Sequence, residues 1–205
     1  MFSSLLEFFG HGKKPNSVAA DSPEFFPASP KVFDYQRREL ARVAVEFGRT
    51  PGEILSQEAT KGPAAVLGAL QLLCSWKHIN QRPMTAIERF TLCLQGPAIE
   101  VNNGGFHQYF SNSTADDWDI IVWGMSEAGD TEGLERFREV LAVFPNGRPS
   151  RNRSARNRQL DDQGEAQWTI FNRFDESFQE KPFPDWDKAW TLIVSRASQF
   201  HPEWP

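Results

Sequence analysis

The chain has 205 residues, 40% of them hydrophobic and 13% aromatic, with 17 Phe and 7 Trp. That composition excludes disorder of the whole chain, and the length allows a buried core without disulfides or metals. The formal net charge of −5 excludes a broad basic surface, so no direct nucleic-acid binding is expected.

Residues 1–31 read as a tail and linker. MFSSLLEFFGHGKK carries its lysines after an apolar part interrupted by Glu7, the reverse of a secretory signal, so a cytoplasmic tail is expected. GHGKKPNSVAADSPEFFPASPK is rich in Gly, Pro and Ser, as linkers are. A helical domain is expected over 32–205. Phe33, Leu40, Val43, Ala44 and Phe47 fall on one helical stripe, with Arg38, Arg42 and Glu46 off it, and Gly48 and Pro51 end the helix. GPAAVLGALQLLCSW opens with Pro63 in a first turn and is apolar on almost every face, which predicts a central helix. Met84–Leu94 predicts another, with Thr85 as cap and Glu88 three residues on, before Gln95-Gly96-Pro97 breaks it. Cys74 and Cys93 sit in apolar helical contexts and are expected as buried free thiols. No stretch approaches the ~20 apolar residues that span a bilayer, so no membrane partner is expected.

The next helix meets Asn102-Asn103-Gly104-Gly105. Two glycines in a helix interior would cost about 2 kcal/mol relative to alanine. The spacing therefore predicts a break, with one helix ending near Val101, Asn103 capping the next, and the glycines in its first turn. Phe106, Tyr109 and Phe110 then share one apolar face. Thr114-Ala115-Asp116-Asp117 reads as a capping-box start of a helix ending at Gly129. Thr131 is the expected cap of a helix through Phe144, and Phe144-Pro145-Asn146-Gly147 a turn. RPSRNRSARNR reads as a solvated loop or short exposed helix, and 165–178 and 184–200 as the last two helices. Trp118, Trp123, Trp168, Trp186 and Trp190 are read as core, with Trp204 exposed. No alternating strand stands out, so the expected fold is all-α, a single compact domain of about eight helices with an N-terminal extension.

Charge is unevenly placed. Between Glu100 and Val143 nine acids face two arginines, a net of −7, and then Arg148, Arg151, Arg153, Arg156 and Arg158 follow. Asp116, Asp117, Asp119, Glu127, Glu132, Glu135 and Glu139 form a candidate acidic interaction face. The arginine run has no aromatic interleaved, so base stacking is not expected of it. His11, His78, His107 and His201 form no metal-binding spacing, and no metal or cofactor is expected.

Glu100-Val-Asn-Asn-Gly-Gly-Phe-His-Gln-Tyr-Phe-Ser-Asn112 closely resembles the signature E-V-x-N-G-G-F-x-Q-[FY]-F-x-N of a bacterial family, a domain of unknown function, and Phe144-Pro-Asn-Gly147 matches its later F-P-x-G element. The resemblance covers about residues 84–204. It implies an all-helical fold. The family's best-known member is an acidic, dimeric DNA mimic that occupies the DNA-binding face of a repressor. That implies a non-enzymatic, regulatory protein–protein interaction, with a basic DNA-binding protein as partner and a homodimer as one assembly. The polar members of the signature, Glu100, Asn102, Asn103, His107, Gln108 and Asn112, with Gly104, Gly105, Phe106 and Tyr109 around them, carry two readings. They form a pocket with Glu100 as base and His107 as its partner, for an enzyme or small-molecule site. Alternatively, Glu100, Asn103 and Gln108 satisfy backbone groups left open by the helix break. A toxin-immunity-type inhibitor is a further reading of the same chain.

Overall fold

Residues 30–162 and 164–202 are described by the computed structural model, and every regular element among them is a helix. In chain order the α-helices are α1 (Pro30–Glu46), α2 (Pro51–Ser56), α3 (Glu58–Lys61), α4 (Pro63–Ile79), α5 (Ala86–Cys93), α6 (Gly96–Ser111), α7 (Trp118–Glu127), α8 (Thr131–Leu141), α9 (Arg153–Asp161), α10 (Glu165–Glu180) and α11 (Trp186–Ser195). The all-α expectation is met. The extra helices over the expected eight are the short α2 and α3, and α9 within the arginine run. The expectations for residues 1–29 and Trp204 lie outside the described residues. No helix among those described is long and apolar enough to cross a membrane.

The described residues fall into two compact units, 30–92 with 190–202, and 93–189. In the first, α1 buries Gln36, Leu40, Val43 and the following Phe47. The Gln36 amide donates to Ser75 Oγ of α4 at 3.1 Å inside that contact. Gly48 turns the chain at φ +108°, and a Cβ there would meet Glu53 Cβ at 2.4 Å. Thr50 and Glu53 form a reciprocal capping box that starts α2. α4 is central, as its all-round apolarity requires, burying Val66, Leu67, Ala69, Leu70, Leu72, Leu73, Cys74 and Ile79.

α4 also buries Lys77, which its sequence context did not announce. Its ammonium donates to Glu88 Oε1 of α5 at 2.5 Å and to the His201 carbonyl at 3.0 Å. Thr85 and Glu88 form the expected cap of α5, with Glu88 Oε2 accepting the Thr85 N–H at 2.9 Å. The His201 N–H donates to Glu88 Oε1 at 2.9 Å. Burial pushes the Glu88 carboxyl up, but Lys77 and these two N–H groups outweigh it and hold it below its usual value. The free Cys74 thiol is buried and pushed up by desolvation, whereas Cys93, expected to be buried, is only half-buried.

The second unit is built on an aromatic cluster. Phe106, Tyr109 and Phe110 of α6 meet Phe137 of α8, Phe171 and Phe178 of α10, and Phe144 and Phe183 from the loops, all buried. Phe110 contacts Phe144 at 4.6 Å and Phe171 at 5.8 Å between centroids, and Phe106 stacks on Phe183 at 5.7 Å. Each such pair contributes about 0.5–1.5 kcal/mol beyond the area it buries. The expected core role of the tryptophans holds only for Trp190. Trp118, Trp123 and Trp186 are half-buried, and Trp168 keeps 49% of its surface exposed.

Candidate functional site: the glycine corner and the charged helices

The glycine pair kinks α6 two residues later than its spacing predicts. Non-helical backbone falls on Gly104 (φ −173°) and Gly105 (φ +75°), so the first half of α6 runs through Asn103 and the second begins at Phe106. Asn103 is exposed and is not the cap. The cap comes from α10: the Phe106 N–H donates to Asp175 Oδ1 at 2.8 Å. Asp175 sits so close that a Cβ on Gly105 would meet its Oδ2 at 2.2 Å. Gly105 is thus fixed twice, by its positive φ and by this contact.

Glu100 is buried on the first half of α6, and its carboxylate is closed by three side-chain donors. Thr114 Oγ1 reaches Oε1 at 2.7 Å, while Gln108 Nε2 and Asn112 Nδ2 reach Oε2 at 2.8 and 2.9 Å. Glu100 therefore bonds side chains, not the backbone groups expected of it, and its network ties the two halves of α6 to the turn after it. Thr114 is spent on Glu100 and caps nothing. The segment 113–117 is a 3₁₀ turn, so α7 starts at Trp118 without a side-chain cap. Among the described residues the hydroxyl of the buried Tyr109 has no hydrogen-bond partner, and desolvation pushes its pKa up.

Glu100 and His107 are not brought together. The His107 ring turns away from the Glu100 network and stacks on Trp168 of α10, with centroids at 4.7 Å and planes at 15°. Asn102, also exposed, accepts from Gln179 Nε2 of α10 at 2.7 Å. Among the described residues no group of three or more His, Cys, Asp or Glu is placed to hold a metal ion.

The acidic residues divide. Asp116 is buried at 7% exposure, bonded through Oδ1 to Arg156 at 2.7 Å. Arg156 is not part of a solvated loop. It is fully buried on α9, and its guanidinium also donates to the carbonyls of Phe110 at 2.6 Å, Asn112 at 2.7 Å and Ser150 at 2.7 Å. Burial pushes the Asp116 carboxyl up to about 6, against the pull of Arg156. Arg151 bonds Asp117 at 3.0 Å and approaches Asp119 at 4.0 Å. Glu132, Glu135 and Glu139 stand exposed on α8, and Glu127 is exposed at the end of α7. Lys181 pairs with Glu132 at 2.5 Å and its hydrogen bond holds that carboxyl below its usual value. Arg173 pairs with Glu139 at 2.9 Å. The cap of α8 is Asp130, which accepts the Gly133 N–H at 3.1 Å, and not Thr131.

Asp175, Arg156 and Lys77 escaped the sequence reading. The available signal for Asp175 was its place four residues after Phe171 on a Phe-rich helix. For Arg156 it was Leu160 four residues on, which marks the inner face of α9.

The fold and this corner define an all-helical protein in which α6 is kinked at an Asn-Gly-Gly-Phe motif and locked by a buried glutamate. The chain belongs to the DMP19-like protein family, whose model matches residues 84–195, and which includes DNA mimics. No curated protein and no solved structure matches the chain.

Proposed function

We propose that the chain is a cytoplasmic, non-enzymatic regulatory module that binds a basic DNA-binding protein through an acidic helical face. Family membership over more than half of the chain supports a DNA-mimic role. The observation that carries the reading to a surface is the row Glu132, Glu135 and Glu139 on α8. Its members are three and four residues apart, about 4.5 and 6 Å along the axis, and all are exposed. One strand of duplex DNA presents a phosphate about every 3.4 Å of axis, a comparable scale. Asp116 contributes little to such a face because it is buried against Arg156, and Asp117 and Asp119 are less exposed than the α8 glutamates.

The test is capture of partners on the purified chain, followed by a displacement assay. A captured protein should bind duplex DNA, lose that DNA to the chain, and be released by salt. Glu132→Gln/Glu135→Gln/Glu139→Gln should abolish the displacement. If captured proteins bind no DNA, or if the triple variant displaces DNA as well as wild type, this reading is lost.

A further inference from the structure

The surface of α10 around Trp168 carries features that the family motif does not account for. Trp168 is half exposed, and among the described residues its only ring contact is the His107 stack. Among the described residues neither its indole N–H nor the His107 ring nitrogens have a hydrogen-bond partner. Other indoles of the chain spend theirs: Trp118 donates to the Pro149 carbonyl at 2.9 Å, and Trp190 to Glu58 Oε1 at 2.7 Å. Stacking on His107 fixes the Trp168 plane, and about half of the residue's surface stays exposed.

Charge points to what would cover it. Asp161 to Lys181 holds six acids and two bases. Both bases are spent on α8, Arg173 on Glu139 and Lys181 on Glu132. Asp161, Asp162, Glu176 and Glu180 are exposed, with no ion pair among the described residues. Trp168, Asn172, Asp175, Glu176 and Gln179 recur at helical spacing and share one face of α10. That face is an aromatic plate with the uncompensated Glu176 carboxylate about 12 Å further along the axis.

From this juxtaposition we infer that α10 is a docking surface for a basic, arginine-containing segment of the partner, with one guanidinium stacked on Trp168 and a following cation at Glu176. The inference rests on the partner's being basic, as proposed above, but assigns the anchor to α10 and not to α8. Guanidinium suits the site better than ammonium, because its flat, weakly hydrated face stacks on indole. Tryptophan, with its large area and few rotors, is the residue type most enriched among interface anchors.

The test uses the full chain and two fluorescent probes, nona-arginine and nona-lysine, read by anisotropy at low ionic strength. The Trp168 indole ¹⁵N–H resonance is followed in parallel. Trp168→Ala should weaken nona-arginine by about 3- to 10-fold and nona-lysine by less, Trp168→Phe should recover most of the loss, and the Trp168 resonance should move on titration. Melting of Trp168→Ala close to wild type shows that the fold survives the loss of a half-exposed ring. Unchanged nona-arginine binding by Trp168→Ala, with an unmoved indole resonance, overturns the inference. If binding then still falls with Glu132→Gln/Glu135→Gln/Glu139→Gln, the α8 reading stands alone. If Trp168→Ala weakens binding and the triple variant does not, the α10 anchor holds and the α8 face falls. Failure of both peptides to bind wild type removes both.

Discussion

Two acidic stretches of the second unit, 116–119 and 132–139, look alike as charge and behave oppositely as structure. The first is turned inward: Asp116 meets the fully buried Arg156, and Asp117 and Asp119 face Arg151. The second stays outside, its glutamates on the solvent side of α8 and two of them held by exposed bases of α10. The difference comes from the backbone beneath. Residues 113–117 form a 3₁₀ turn directly after α6, and Arg156 brings donors to the carbonyls of Phe110 and Asn112 at the end of that helix. α8 is an ordinary amphipathic helix whose apolar stripe, Leu134, Phe137, Val140 and Leu141, leaves Glu132, Glu135 and Glu139 no way in. Net charge over a segment is therefore a poor guide to the charge a partner meets.

The strongest way to break this comparison is to remove Arg156. Arg156→Ala leaves Asp116 as a buried carboxylate without its cation and takes a donor from the carbonyls of Phe110, Asn112 and Ser150. We expect a loss of about 3–5 kcal/mol in chemical denaturation. Arg156→Lys should recover only part, because an ammonium cannot copy the fork that reaches Phe110, Asn112 and Asp116 together. A loss under about 1 kcal/mol would mean that the inward turn of 116–119 does not depend on this arginine.

Asp116 gives the next effect, and it has a sign. Its carboxyl is raised from 3.8 to about 6 in the fold. A raised acid favours folding fully below its unfolded value and progressively less as pH climbs through the folded one. Its contribution should fall between about pH 4 and pH 6 by up to about 3 kcal/mol, then level off. Asp116→Asn removes this component, so the stability difference between wild type and variant should change across that window and stay flat above it. A difference that is constant from pH 4 to 7 would place the Asp116 carboxyl at its ordinary value.

How much of this was legible follows the same division. The helical class, the central α4, the aromatic face of α6 and the Thr85–Glu88 cap all rest on spacing within one segment, which is visible in one sequence. The family signature was visible for the same reason. What was missed depends on segments far apart in the chain. Asp175 caps Phe106 across 69 residues, and Arg156 reaches Asp116 across 40. The cap expected of Asn103 went instead to Asp175 because Gly105, at positive φ, turns the Phe106 N–H toward α10. Glu100 reads from the sequence as a pocket base or as a partner for open backbone groups, whereas its partners Gln108, Asn112 and Thr114 make it a clamp across the kink. An arginine-rich stretch reads as solvated on composition alone, and only the carbonyls at the end of α6 draw one of its members in.

Arg151 should matter less than Arg156, because it is one-third exposed and holds its acids nearer to solvent. Arg151→Ala should cost roughly 1 kcal/mol, part of it from the hydrogen bond its Nε gives the Asp116 carbonyl at 3.1 Å. The variant also removes the Arg151 charge beside Asp117 and Asp119 and so makes this surface more negative. Binding of nona-arginine should then tighten while stability drops, and opposite movement of the two readouts would be the mark of an acid pair released outward. Movement in the same direction would mean that Asp117 and Asp119 remain turned in without Arg151.

The smallest stability effect belongs to the outward stretch, where the comparison is sharpest. Glu132→Gln and Glu139→Gln each break an exposed ion pair with α10, and such pairs contribute about 0–1 kcal/mol. Their melting temperatures should stay near wild type. Their effect on a charged partner should nevertheless exceed that of any change at Asp116, because an exposed charge acts on encounter and a buried one does not. Each substitution leaves Lys181 or Arg173 in place and so raises the local net charge by one. Binding in the double variant should accordingly lose two charges' worth of its salt dependence, whereas neutralising Glu135, which has no ion pair among the described residues, should remove one charge's worth.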